Sequence, residues 1–166
     1  MAIIDFFDRG WRSAPDAAAY IQDEREFSFR EVGELSCRIA HALLAAGLGR
    51  AARGAVWAGN DLQAWICTLG LWRANMAWIP VNARNVAEEN RALLDAFDCD
   101  AVFYQQSYAP AIEALRGALQ TAVAIKLLDG ETRKVGFASA CQAFDHRYLL
   151  GFLEQRGLAR GHVMQL

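Results

Sequence analysis

The residues of this sequence that could carry out chemistry include a cysteine and a histidine spaced for one face of a helix. His41 lies four residues after Cys37 in a stretch with helical periodicity, so the two side chains would stand one turn apart. Such a pair could bind a metal ion or form a Cys–His nucleophile. Two ligands do not complete a metal site and no third is evident, so we predict a hydrogen-bonded or solvated helical histidine.

The other reactive side chains form no recognisable catalytic motif. The four cysteines, which include Cys67, Cys99 and Cys141, lie too far apart for the paired ligands of a zinc finger. The sequence contains no phosphate-binding glycine loop, no dinucleotide-binding fingerprint and no nucleophile elbow. We therefore assign no catalytic, cofactor-binding or metal-binding residue. We predict reduced cysteines that are mostly buried as small apolar side chains.

The tryptophans are the remaining candidates for a binding site. Trp57, Trp65, Trp72 and Trp78 lie close together in the sequence, and Trp11 lies apart. They could form an aromatic ligand pocket, although tryptophans at such positions more often belong to the core. A chain this aromatic could also present part of the cluster to another domain.

The elements that must position these side chains alternate between strand and helix. Ser28 and Glu31 form a capping box that begins a long helix, and Gly47 ends it. Asp61 can cap an apolar helix that we expect to be buried, and Pro80 indicates a strand end or a sheet edge. The predicted elements are strands at 17–22 and 26–29, helix 29–46, strand 54–58, helix 62–74, strand 76–81, helix 86–97, strand 100–104, helix 107–119 and strand 122–128.

This order predicts an α/β fold with a mostly parallel sheet flanked by helices and preceded by a β-hairpin. We place the α/β subdomain in residues 1–130. Residues 131–166 are treated as a C-terminal extension of uncertain structure, in which residues 148–156 favour a short helix.

The composition excludes several classes of protein. Hydrophobic residues make up 54% and charged residues 22% of the 166 residues, which is typical of a folded domain. The net charge of −2 argues against a nucleic-acid-binding protein, and no apolar run is long enough to span a membrane. The sequence shows no secretory signal, so we predict a cytoplasmic protein.

Four segments, taken in order and spacing, resemble the N-terminal region of the adenylate-forming superfamily, the acyl-CoA synthetases and related AMP-binding ligases. Residues 27–32 (FSFREV) are similar to the family's T/S-Y-x-E-L, and residues 42–49 (ALLAAGLG) to the helix end that follows. Residues 55–60 (AVWAGN) resemble its strand-then-Asn step, and residues 69–85 (LGLWRANMAWIPVNARN) resemble its G-A-x-x-x-P-x-N-x-R. The resemblance runs from about residue 4 to residue 128.

The resemblance implies a complete enzyme that uses ATP and magnesium to join a carboxylate to AMP and then passes the acyl group to a thiol such as coenzyme A. The family's Ser/Thr/Gly-rich phosphate loop with its lysine, its adenine and ribose contacts and its small C-terminal domain have no counterpart here. We therefore expect no cofactor site in this chain and no activity from it alone.

Individual residues also follow or leave the family pattern. Asn60, Pro80, Asn82 and Arg84 match its motifs. We assign them structural roles, with the alternative that Arg84 lines a pocket in a complete enzyme. The departures are Ala51-Ala52, where the family usually has Gly-Asp, and Asn75, where it usually has Gly.

Three hypotheses stay open. In the first, the chain is the N-terminal part of an AMP-forming acyl-CoA ligase and builds one wall of the acyl pocket. Its partner is then the missing C-terminal portion or further copies of itself in a homo-oligomer, and residues 62–78 should present an exposed apolar face. In the second, it is a non-catalytic binding or dimerisation module on the same fold. The third is a small enzyme that uses Cys37 and His41.

Overall fold

The computed structural model describes residues 2–115 and the backbone of residues 123–127, in which helices and strands alternate as the sequence predicts. A short 3-10 helix, Gln106–Tyr108, leads into the last described helix. The other elements are α1 (Ile4–Ser13), β1 (Ala18–Gln22), β2 (Arg25–Ser28), α2 (Phe29–Ala45), β3 (Arg53–Trp57), α3 (Leu62–Arg73), β4 (Ala77–Pro80), α4 (Ala87–Ala96), β5 (Ala101–Gln105), α5 (Ala109–Leu115) and β6 (Val123–Leu127).

The predicted hairpin forms from β1 and β2, which pair antiparallel with Gln22 opposite Arg25. The two residues between them, Asp23 and Glu24, have φ of 49° and 63°. Positive φ at both central residues matches the right-handed twist of the flanking strands, which is why such turns close two-residue hairpins. The turn therefore forms here without the glycine that usually occupies it.

Helix α2 begins and ends where the local signals predict. The Glu31 N–H donates to Ser28 Oγ over 3.2 Å, and the Ser28 N–H donates to Glu31 Oε2 over 2.8 Å, which completes the capping box. At the other end Gly47 has φ of 77°, and the Leu48 N–H donates to the Leu43 carbonyl. This pattern is a glycine-dependent helix end, and it directs Leu48 back into the core.

The four strands β3 to β6 form a parallel sheet in the order β4-β3-β5-β6, so the predicted fold class is confirmed. Side chains alternate across it. Val56 and Phe103 face a core shared with α2 and α3, whereas Trp57 and Val102 face a core shared with α4 and α5. The sheet is thus covered by helices on both faces.

Helix α3 is buried on two sides, as its apolar composition predicts. A Cβ on Gly70 would lie 2.4 Å from Ile39 Cγ2 of α2, and a Cβ on Gly54 of β3 would lie 2.3 Å from Leu71 Cδ2 of α3. Both glycines therefore make room for a side chain of the facing element. The helix is held tightly against α2 on one side and against the sheet on another.

Strand β4 lies at an edge of the sheet, which agrees with the position of Pro80 at a strand end. Helix α1 was not predicted, because it is held by contacts with residues that are distant in sequence. Its Asp8 forms an ion pair with Arg73 at the end of α3, a partner that is distant in sequence. No helix among the described residues has the length and apolar character needed to cross a membrane.

Some predictions lie outside the described residues. These are the end of the helix expected to reach residue 119, the helix at 148–156 and the boundary between residues 130 and 131.

Candidate functional site

Cys37 and His41 do not form part of a larger cluster of reactive side chains in the described residues. Both lie on α2, but His41 is exposed and Cys37 is half-buried. Within residues 2–115, no three His, Cys, Asp or Glu side chains come close enough together to hold a metal ion. The pair therefore gives no support to metal or nucleophile chemistry.

The other described cysteines, Cys67 and Cys99, are buried. Burial raises the pKa of the Cys99 thiol from 9.0 to about 11. The Cys99 thiol lies 3.3 Å from the Ala101 carbonyl oxygen, to which it can donate. A thiol held in its neutral form is a weak nucleophile, so Cys99 behaves as a core side chain. Cys141 lies outside the described residues.

The best place for a ligand on this topology is the carboxyl edge of the sheet, where the chain turns from each parallel strand into the next helix. The strand order reverses between β3 and β5, and ligands of open α/β sheets bind at such a point. Here the Gly59 N–H donates to Gln105 Oε1 over 2.8 Å and bridges the two strand ends. The rings of Trp57, at the end of β3, and Tyr108, in the 3-10 helix after β5, lie 6.2 Å apart.

The N-terminus of α3 also opens at the carboxyl edge, but its donors are already occupied. The Leu62 N–H donates to Gln22 Oε1 over 2.8 Å, and the Gln63 N–H donates to Asp61 Oδ1 over 2.7 Å. Gln22 reaches this point from the hairpin and also donates to Asp61 Oδ2. A phosphate would have to displace an amide and a carboxylate to use these N–H groups, which is the reverse of a phosphate-binding helix start.

The loop after β4 holds the family-like residues Asn82 and Arg84. The Arg84 N–H donates to Asn82 Oδ1 over 3.0 Å, which is a turn closed by the Asn side chain. The Asn82 carbonyl accepts from Nδ2 of Asn90, a fully buried residue of α4, also at 3.0 Å. The Arg84 side chain is exposed and has no ion-pair partner in residues 2–115.

The tryptophans divide between two places. Trp57 lies on the α4 and α5 side of the sheet, and its indole N–H has no acceptor among the described residues. Trp65, Trp72 and Trp78 form a row on the other side, which we call the tryptophan face. Their neighbouring rings are 5.8 Å and 5.9 Å apart and nearly perpendicular. Trp78 remains 40% exposed, so this row combines core and surface.

The two departures from the family pattern fall on strained backbone. Ala51 has φ of 73° and Asn75 has φ of 60°. This is the left-handed region, which glycine adopts without steric cost and Asn tolerates better than Ala. The glycines usual in the family therefore suit a backbone that this chain also adopts, at a cost in free energy at Ala51.

Several contacts that hold the site together were not predicted, because they join residues distant in sequence. Gln22, Gln105 and Asn90 are ordinary polar residues in the sequence, and only the fold brings them to their partners. Arg73 likewise donates from Nε to Ser36 Oγ over 2.7 Å and from its two terminal nitrogens to the Asp8 carboxylate. No spacing rule could have found these pairs.

Comparison with known proteins identifies relatives of this chain. A family model described as AMP-binding enzyme matches residues 7–146. The chain is 28% identical over 107 residues to the medium/long-chain-fatty-acid–CoA/3-oxocholest-4-en-26-oate–CoA ligase of Mycobacterium marinum, covering 64% of this chain and 20% of that protein. It is 27% identical over 117 residues to N-(5-amino-5-carboxypentanoyl)-L-cysteinyl-D-valine synthase of Streptomyces clavuligerus, covering 69% and 14%.

Solved structures show the same fold. The N-terminal domain of FACL13 from Mycobacterium tuberculosis matches with a TM-score of 0.72 at 20% identity, covering 86% of this chain and 36% of that one. The N-terminal subdomain of Klebsiella oxytoca NpsA matches with a TM-score of 0.63 at 21% identity, covering 74% and 30%. The chain spans about a fifth of the acyl-CoA ligases that it matches in sequence.

Proposed function

The chain belongs to the AMP-binding enzyme family, and from that premise we propose that it serves as the N-terminal α/β segment of an AMP-forming acid–thiol ligase. In the proposed reaction a carboxylate attacks the α-phosphate of ATP, which gives an acyl adenylate and releases pyrophosphate. A thiol such as coenzyme A then attacks the acyl carbon and displaces AMP. The observation that carries this proposal is the family match across residues 7–146.

The proposed role of this segment is to support the acyl pocket, not to perform the chemistry. Two parts of the surface support this proposal. The donors at the carboxyl edge that a phosphate would use are occupied by Gln22, Asp61 and Gln105. The tryptophan face is apolar and leaves Trp78 exposed. Such a surface suits an acyl chain or a neighbouring apolar domain.

A complete enzyme would require ATP, magnesium and coenzyme A, and the described residues do not fit the first two. Phosphate transfer needs free backbone donors, a lysine and a metal bound by carboxylates. The α3 start offers no free donor pair, and no three-membered acidic cluster occurs in the described part of the chain. We derive no catalytic step through ATP or magnesium. We propose that polypeptide outside the described residues supplies the donors, the lysine and the metal ligands.

Asn60, Pro80, Asn82 and Arg84 take positioning roles in this proposal. Pro80 ends β4, Asn82 closes the following turn, and exposed Asn60 lies in the loop before α3. Arg84 is the one of these residues with a charge available to a partner, because its guanidinium is exposed and unpaired within residues 2–115. A pocket-lining role for Arg84 would need the rest of the enzyme.

The test compares two proteins in an assay of ATP-dependent pyrophosphate release with fatty and aromatic acids. One is this chain alone. The other is the Mycobacterium tuberculosis fatty acyl CoA synthetase in which this chain replaces the segment that it matches, 28% of that enzyme. We expect no turnover by the chain alone and acid-dependent release by the chimera. Turnover by the chain alone, or a folded chimera with no activity beside an active parent enzyme, would refute the proposal.

A second candidate, a non-catalytic binding or dimerisation module, is favoured by one observation, the 40% exposure of Trp78. It predicts a homo-oligomer of the isolated chain that dissociates when Trp78 is made polar. Light scattering after size exclusion distinguishes a monomer from a dimer. A cytoplasmic location belongs to either candidate and is tested by cell fractionation.

A further inference from the structure

The tryptophan face has a specific partner in our interpretation. We propose that Trp65, Trp72 and Trp78 form the seam against which the remaining polypeptide of the N-terminal subdomain packs in a complete ligase. This inference rests on the proposed function and deepens it, because it names the surface and the occupant.

The tryptophan face is a side of α3 that the described residues cover only in part. α3 meets α2 where the Ile39 side chain packs on Gly70, and it meets the sheet where the Leu71 side chain packs on Gly54. Its Trp65 and Trp72 are only half-buried, and they continue through an edge-to-face contact onto Trp78 of β4. Three rings held in a row by mutual contacts present a rigid apolar surface, and a rigid surface loses little side-chain entropy when a partner covers it.

The edge of β4 beside these rings argues against a second copy joined by sheet extension. The Ala77 N–H donates inward to the Ala52 carbonyl, so the main-chain groups of Trp78 and Pro80 point outward. Pro80 has no N–H to offer, and β4 spans only four residues. A short edge that ends in proline supports little strand addition. Packing by side chains on the tryptophan face is the favoured mode.

The occupant follows from how much of the subdomain this chain accounts for. It covers 36% of the FACL13 N-terminal domain and 30% of the NpsA N-terminal subdomain. In those structures about two thirds of the polypeptide therefore lies beyond the matched segment. Strand β4 contains no charged residue that would oppose apolar contact with it. The chemistry of the expected partner surface is aliphatic and aromatic, without charge.

The experiment compares the tryptophan face in two proteins. The first protein is the full chain. The second is the FACL13 N-terminal domain in which this chain replaces the segment that it matches. Each carries Trp78→Ser or, as a matched control, Phe97→Ser. Phe97 is 52% exposed at the end of α4, the helix that packs on the other side of the sheet. The measurement is the thermal midpoint of each protein.

We expect Trp78→Ser to lower the midpoint of the chimera by about 5 °C more than that of the chain alone, whereas Phe97→Ser shifts both equally. Equal shifts from Trp78→Ser in the two contexts would overturn the seam. So would a Trp78-dependent dimer of the isolated chain, or an insoluble chimera beside a folded parent domain. Catalytic activity is not measured here, so an inactive ligase chimera with a Trp78-sensitive midpoint would contradict the proposed function but not the seam.

Discussion

Arg73 joins three helices, and its replacement is the sharpest test of how this fold is held. From the end of α3 its guanidinium donates to the Asp8 carboxylate of α1 and to Ser36 Oγ of α2. Its Cζ also lies 5.3 Å from the ring of Trp11. The Arg73 side chain is 12% exposed and that of Asp8 is 23% exposed. Arg73→Met keeps most of the apolar stem and removes every donor.

The expected cost follows from this burial. Removing one partner of a buried ion pair typically costs about 3–5 kcal/mol, because the other charge is left without compensation. Asp8 is 23% exposed and retains some contact with water, so we place the loss of unfolding free energy below that range, at about 2–3 kcal/mol. With a urea dependence of about 2 kcal/mol per M, the unfolding midpoint should fall by about 1–1.5 M.

The assay is urea unfolding followed by far-UV circular dichroism, because the substitution lies beside Trp11 and would alter tryptophan fluorescence directly. Arg30→Met is the matched control. Arg30 pairs with Asp16 over 3.0 Å, but the two side chains are 50% and 80% exposed, so its midpoint should match the parent protein. Coincident midpoints for Arg73→Met and Arg30→Met would refute the reasoning. Adding Asp8→Leu to Arg73→Met should recover part of the loss, because no buried charge then remains.

Three further predictions follow from local features. Ala51→Gly should raise the unfolding free energy by about 1 kcal/mol by relieving a φ of 73°, whereas Ala52→Gly, without positive φ, should lower it by about 0.5–1 kcal/mol; urea titration of both variants checks the opposite signs. Ser28→Ala should cost about 1 kcal/mol by removing the capping box of α2, and a thermal midpoint equal to that of the parent would contradict it. Burial raises the pKa of Cys99 to about 11 from 9.0, so its stabilising neutral form is present below pH 9 and lost as the pH rises towards 11. At pH 8 native Cys99 should resist alkylation while half-buried Cys37 reacts, as mass spectrometry after timed quenching would report.

The elements that could be predicted are those whose signals are local. The Ser28–Glu31 capping box, the positive φ of Gly47 and the Asp61 cap each act within a few residues, and each lies where expected. The alternation of strand and helix then restricts the sheet to parallel pairing with few alternatives. These features depend on chemistry that the sequence displays directly.

The features that could not be predicted require partners from other elements. Helix α1 carries its acid at Asp8 towards Arg73, which lies far along the chain. The four tryptophans from Trp57 to Trp78 lie close together in the sequence. Trp57 nevertheless lies on the opposite face of the sheet from the other three, because strand side chains alternate between the two faces. Periodicity identifies the face on which a side chain lies. It does not identify the residue that will meet it there.

The contacts at the carboxyl edge make the N-terminus of α3 a poor site for a phosphate. A helix start becomes an anion site when its N–H groups are free, and here Asp61 places a carboxylate against them. Opening that start would expose the Asp61 charge to the phosphate and release Gln22, which ties the hairpin to α3. The same contacts that tie the hairpin to α3 therefore disfavour a phosphate at this point. Under the proposed function, ATP would therefore be bound by polypeptide other than this helix start.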